Sequence, residues 1–125
     1  MSFKEHVGDQ GSLLPKIATG FGGGVGGKGS LCGAFTGSVM VFGMKFGRTE
    51  SRDKERKEKV YGLGHRFWER FEKEIGSCYC YDLIKYRLDN PEERKKWLES
   101  GGLEKCSSIV EKAAGLLAEF LEMAE

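Results

Sequence analysis

Seven glycines fall within ten residues in Gly20-Phe21-Gly22-Gly23-Gly24-Val25-Gly26-Gly27-Lys28-Gly29. No regular helix survives that density, because each interior glycine costs about 1 kcal/mol relative to alanine. The stretch must be a loop, and it sets the reading of the segments on either side. Upstream, Ser12 to Thr19 reads as a short helix, with Ser12 as cap and Pro15 near its start. Downstream, Ser30 reads as an N-cap and Leu31 to Phe46 as a helix that is apolar or small at nearly every position. The sixteen residues from Gly29 to Met44 carry no charge. They fall short of the ~20 apolar residues of a spanning helix, and Gly33, Gly37 and Gly43 dilute them. A buried central helix follows, and no membrane span. Its glycines lie four apart, at Gly33 and Gly37 and again at Gly43 and Gly47, so another backbone can approach closely. Gly47 supplies the stop.

The remaining sequence is helical in pattern. Ser51 to Ile75 reads as a long charged amphipathic helix, with Val60, Gly64, Phe67, Phe71 and Ile75 at three- and four-residue spacing and a weak point at Gly62 and Gly64. Gly76 ends it, and Ser77 reads as the cap of a short helix through Leu88. Asn90-Pro91-Glu92-Glu93 has a cap, a first-position proline and first-turn acids. The last helix starts near Leu103 and turns Cys106, Ile109, Val110, Ala113, Leu117, Phe120 and Leu121 to one face. No alternating strand pattern occurs. The fold class is all-α: a compact helical bundle, one domain over residues 1–125, with a glycine-rich loop before its central helix.

Twenty basic against nineteen acidic residues leave a net charge of +1, which gives no global case for nucleic acid. Met1 to Leu14 lacks the apolar stretch of an export signal. A cytoplasmic, reducing setting is expected, where four cysteines serve redox, metal or packing roles rather than structural disulfides. Gly24 to Gly29 matches the letters of G-x-G-x-x-G, but no strand precedes it. Gly22 to Lys28 resembles a phosphate loop, but Gly29 stands where Ser or Thr would bind magnesium. The plain reading is a tight loop that lets backbone pack around a helix start, with free N–H donors as its remaining chemical interest.

The cysteines carry more. Cys32 follows the Ser30 cap by two residues, Cys80 follows Ser77 by three, and Cys106 lies three or four residues into the last helix. All three fall near helix N-termini, where the dipole and unpaired N–H groups favour a thiolate. Cys32 is expected to be the most reactive, with Lys28 the nearby cation. The competing reading makes each cysteine a small buried hydrophobe.

These residues carry a resemblance. Gly20 to Gly24, then Gly29-Ser30-Leu31-Cys32-Gly33-Ala34-Phe35-Thr36-Gly37, resemble the C_GCAxxG_C_C family, which is described as redox-active and known by a CGAxxG motif and four cysteines. The likeness continues through Met44 to Arg48, through Phe71 to Ser77, and to Cys106 ahead of Val110, Ala113 and Ala114. It implies that Cys32, Cys80 and Cys106 match the family's second, third and fourth cysteines. The family's first cysteine has no counterpart before Cys32, and Cys78 is extra. Thiol redox chemistry or electron transfer with a partner protein is the implied function. An iron–sulfur cluster, or less readily zinc, held by Cys32, Cys78, Cys80 and Cys106 is the second reading. A structural or partner-binding helical protein is the third, and a homodimer stays open. Covalent haem is not expected, because neither His6 nor His65 follows a C-x-x-C pair. His65 reads by default as an ordinary histidine of the long helix.

Overall fold

The structure, a computed structural model, describes residues 13–124, so the Ser12 cap and His6 lie outside the described residues. Within them the chain forms α1 (Leu13–Ala18), α2 (Gly33–Phe46), α3 (Lys54–Ile75), α4 (Cys80–Ile84), α5 (Pro91–Glu99) and α6 (Gly102–Ala124). A single 3-10 turn, Thr19–Phe21, follows α1. Among the described residues there is no strand, and the extended pairing is one isolated antiparallel bridge between Leu31 and Tyr79. The fold is all-α. No helix of the described residues is long and apolar enough to cross a membrane.

Local chemistry explains most boundaries. Asn90 accepts hydrogen bonds from the N–H groups of Glu92 and Glu93, with Pro91 at the first helical position of α5. Helix α3 begins at Lys54 rather than Ser51, because the Asp53 side chain accepts from the Arg56 N–H. It runs unbroken through Gly62 and Gly64 to Gly76, whose φ of 118° ends it. Helix α4 stops at Ile84, not Leu88, because Lys85 turns left-handed at φ 64° and its N–H closes on the Tyr81 carbonyl.

The main core is built from α2, α3 and α6. Phe42, Phe67 and Phe71 are fully buried, and Phe67 meets Phe42 and Phe120 edge-on at centroid distances of 5.4 and 5.2 Å. Leu63, rather than Gly64, fills the upper part of the α3 face. Helix α2 differs from its sequence reading. Only Phe35, Ser38 and Phe42 are buried on it, and a Cβ at Gly37 or Gly43 would meet open space. Two neighbouring helices cannot cover all sides of a third. Buried Ser38 is satisfied by donating to the Ala34 carbonyl at 2.7 Å. A smaller cluster of Cys80, Ile84 and Trp97 lies beside the main core, with Leu83 packed against both.

Candidate functional site

The site starts from backbone. The N–H groups of Val25 through Ser30 are all taken up by carbonyls between Phe21 and Val25 or by Gly20, including Gly26 to Gly20 at 2.8 Å and Ser30 to Gly24 at 2.8 Å. The loop therefore does not offer those groups to a ligand or to a sulfur, which corrects the expectation of free donors. Its outer edge is bound to the segment around α4. Cys32 donates to the Cys78 carbonyl at 2.7 Å, Cys80 to Ser30 at 2.6 Å, Tyr81 to Gly29 at 3.1 Å and Asp89 to Gly27 at 3.2 Å. At Gly24, with φ 73°, a Cβ would fall 2.5 Å from the Ser30 nitrogen and 2.7 Å from the Cys80 Cβ. Only glycine fits where the loop closes over Cys80. Lys28 pairs with Asp89 at 2.9 Å and so is not the cation beside Cys32. Lys28, and then Arg87, hold the Asp89 carboxyl below its ordinary range.

This pairing moves two helix starts. Ser30 is not the cap of α2, because it lies in the extended segment paired with Tyr79. Cys32 is itself the N-cap, at φ −59° and ψ 134°, and its carbonyl accepts from Phe35 and Thr36. Its side chain makes no capping hydrogen bond to the first turn of the helix. Ser77 likewise does not cap α4, since Tyr79 occupies that position. Its hydroxyl accepts from the Tyr79 N–H at 3.0 Å and donates to Asp82 Oδ2 at 2.9 Å. Cys80 is the first residue of α4, and Cys106 stands one turn beyond Gly102 at the start of α6.

Cys32, Cys80 and Cys106, from three separate segments, line one cavity of about 270 Å³. Gly23, Gly24 and Gly33 form a wall without side chains. Leu83, Ile84, Leu88 and Trp97 form an apolar wall, with Ile109 and Val110 toward the rim. Val110 is 55% exposed, so it borders the cavity instead of joining the buried face of α6, where Leu116 is buried. None of the residues lining the cavity is charged. Trp97 is 8% exposed, and its indole Nε1 packs on Gly102 with no hydrogen-bond partner.

Cys78 is placed elsewhere. It faces Cys32 across the bridge, but it is fully buried in the main core and its Sγ donates to the Trp68 carbonyl at 3.7 Å. The four sulfurs are thus three and one, and all four are free thiols. That division does not fit a four-thiolate cluster or zinc site made of Cys32, Cys78, Cys80 and Cys106. Among the described residues, no three His, Cys, Asp or Glu side chains are grouped to hold a metal ion. His65 lies on the exposed side of α3 and pairs with Glu69 at 3.3 Å.

Burial sets the ionisation of Cys78, Cys80 and Cys106. It pushes Cys80 up to about 11 and Cys78 up to about 12, and it raises Cys106 as well. Negative charge on Cys32 adds to all three shifts, joined by Glu72 at Cys78 and opposed by Lys105 at Cys106. Cys32 is therefore within electrostatic reach of every other thiol. Trp97 and the Leu83–Leu88 wall were not visible as site residues in sequence, because no spacing marks a residue that packs over a neighbouring helix start.

A family model described as "Putative redox-active protein (C_GCAxxG_C_C)" matches residues 1–120. No curated protein and no solved structure matches the chain.

Proposed function

The chain belongs to the C_GCAxxG_C_C family, and from that premise we propose that it is a thiol redox protein with Cys32 as attacking sulfur and Cys80 or Cys106 as resolving sulfur. The observation that carries this reading is the convergence of these three cysteines on one cavity. Cys32 sits at the start of a fourteen-residue helix, half-buried at the edge of the cavity, where a reagent reaches its sulfur. Cys80 and Cys106 stay protonated near neutrality because burial disfavours their charged forms. In the oxidative step an acceptor takes two electrons, the Cys32 sulfur bonds to the second sulfur, and both thiol protons are released or transferred. Cys78, held in the core, contributes packing.

The test is oxidation of the fully reduced chain with one equivalent of diamide, followed by a thiol count and peptide mapping. Two of the four thiols are expected to disappear into one intramolecular disulfide that contains Cys32. A Cys32→Ser variant is expected to lose that product. Retention of all four thiols, or a disulfide without Cys32, would overturn the assignment.

A further inference from the structure

Resting on the thiol redox reading, we propose that the cavity admits a small, uncharged organic hydroperoxide as the oxidant of Cys32. The lack of any charged residue in the cavity lining limits what can enter. A dipeptide-like disulfide with ammonium and carboxylate groups would have to strip those charges of water with nothing in the wall to pair them. The cavity is smaller than the ~300 Å³ at which pockets begin to hold drug-sized molecules, which points to a compact ligand. Leu83, Ile84, Leu88 and Trp97 offer it an apolar surface, and Gly23, Gly24 and Gly33 add no side chains to the lining.

The chemistry also suits a peroxide bond. The Cys32 thiolate attacks the terminal oxygen, so the S–O bond forms and the O–O bond breaks. The departing alkoxide takes a proton and leaves as the alcohol, while Cys32 becomes a sulfenic acid. The sulfur of Cys80 or Cys106 then attacks the Cys32 sulfur. The S–S bond forms, the S–O bond breaks, and the hydroxide leaves with the resolving thiol's proton as water. One hydroperoxide and two thiols give one alcohol, one water and one disulfide. Thiols that burial keeps protonated are the proton sources in a wall otherwise made of apolar side chains and glycines.

The experiment compares cumene hydroperoxide, hydrogen peroxide and oxidised glutathione as oxidants of the reduced chain, read by thiol loss and by the alcohol formed. Cumene hydroperoxide is expected to react about tenfold faster than either of the others, the discrimination an apolar pocket supplies, with one cumyl alcohol per disulfide. A Val110→Asp variant places a carboxylate at the rim, on a side chain already 55% exposed. There the preference for cumene hydroperoxide over hydrogen peroxide is expected to fall about fivefold or more. Equal rates for the two peroxides in the parent chain, or faster reaction with oxidised glutathione, would overturn the substrate class. If diamide still forms the Cys32 disulfide, that failure leaves the redox reading standing. If diamide does not, both fall together.

Discussion

Cys32 and Cys78 face each other across the same two-segment bridge, and yet their surroundings give them different chemistry. Cys32 is half-buried at a helix N-cap and borders the cavity; Cys78 is closed into the core against the Trp68 carbonyl. Iodoacetamide at neutral pH is expected to modify Cys32 first, Cys106 and Cys80 more slowly, and Cys78 only on unfolding, as read by timed mass spectrometry. Early labelling of Cys78 would contradict the described core. The same burial has a signed effect on stability. Cys78 ionises near 9.0 when unconstrained and at about 12 in the fold, mainly through burial, so the folded state holds its proton more tightly. The stabilisation is fully present below pH 9.0 and is lost as pH rises toward about 12. Urea unfolding should show the parent chain losing stability over that window more steeply than Cys78→Ala. Parallel pH slopes would remove the assigned shift.

At the scale of elements, the loop acts as a template for α4 rather than as an anion cradle. Gly24 and Gly26 both have positive φ, but a Cβ at Gly24 collides with Ser30 and Cys80 whereas one at Gly26 meets nothing within 4 Å. Gly26→Ala should therefore cost only the left-handed backbone penalty, about 1–2 kcal/mol. Gly24→Ala should cost about 2 kcal/mol more, since backbone as well as side chain must shift. Chemical denaturation compares the two, and equal costs would mean that the loop yields freely. Elements whose ends are fixed by adjacent residues were legible in the sequence: the Asn90-Pro91 start of α5 and the Gly76 stop of α3 stand where their residue types require. The entries to α2 and α4 were not. Ser30 and Ser77 have the right side chains for caps, but pairing between the segments around Leu31 and Tyr79 moves both helix starts. A two-segment pairing so short leaves no period to read.

Across the whole molecule, the cavity lies where the main core meets the smaller cluster. Cys32 and Leu83 pack against the main core, and Cys80 and Trp97 belong to the smaller cluster, with Cys106 packed against it. Helix starts and family resemblance made three of these sulfurs candidates together. What separates Cys78 from them is its full burial in the main core, away from the cavity lining, which composition and spacing do not encode. The position of the cavity has a consequence for folding. A disulfide from Cys32 to Cys80 or Cys106 would join distant parts of the chain and close a long loop in the unfolded state. Chain-entropy reasoning places the gain at about 4 kcal/mol for a loop of either size, reduced by whatever distortion the fold must accept. The oxidised chain is therefore expected to resist urea to a higher midpoint than the reduced chain, with a helical circular dichroism signal of the same size before unfolding. Cys32→Ser should abolish the difference between oxidising and reducing conditions. An oxidised form less stable than the reduced one would mean that closing the disulfide strains the seam between the two clusters by more than the entropy it removes.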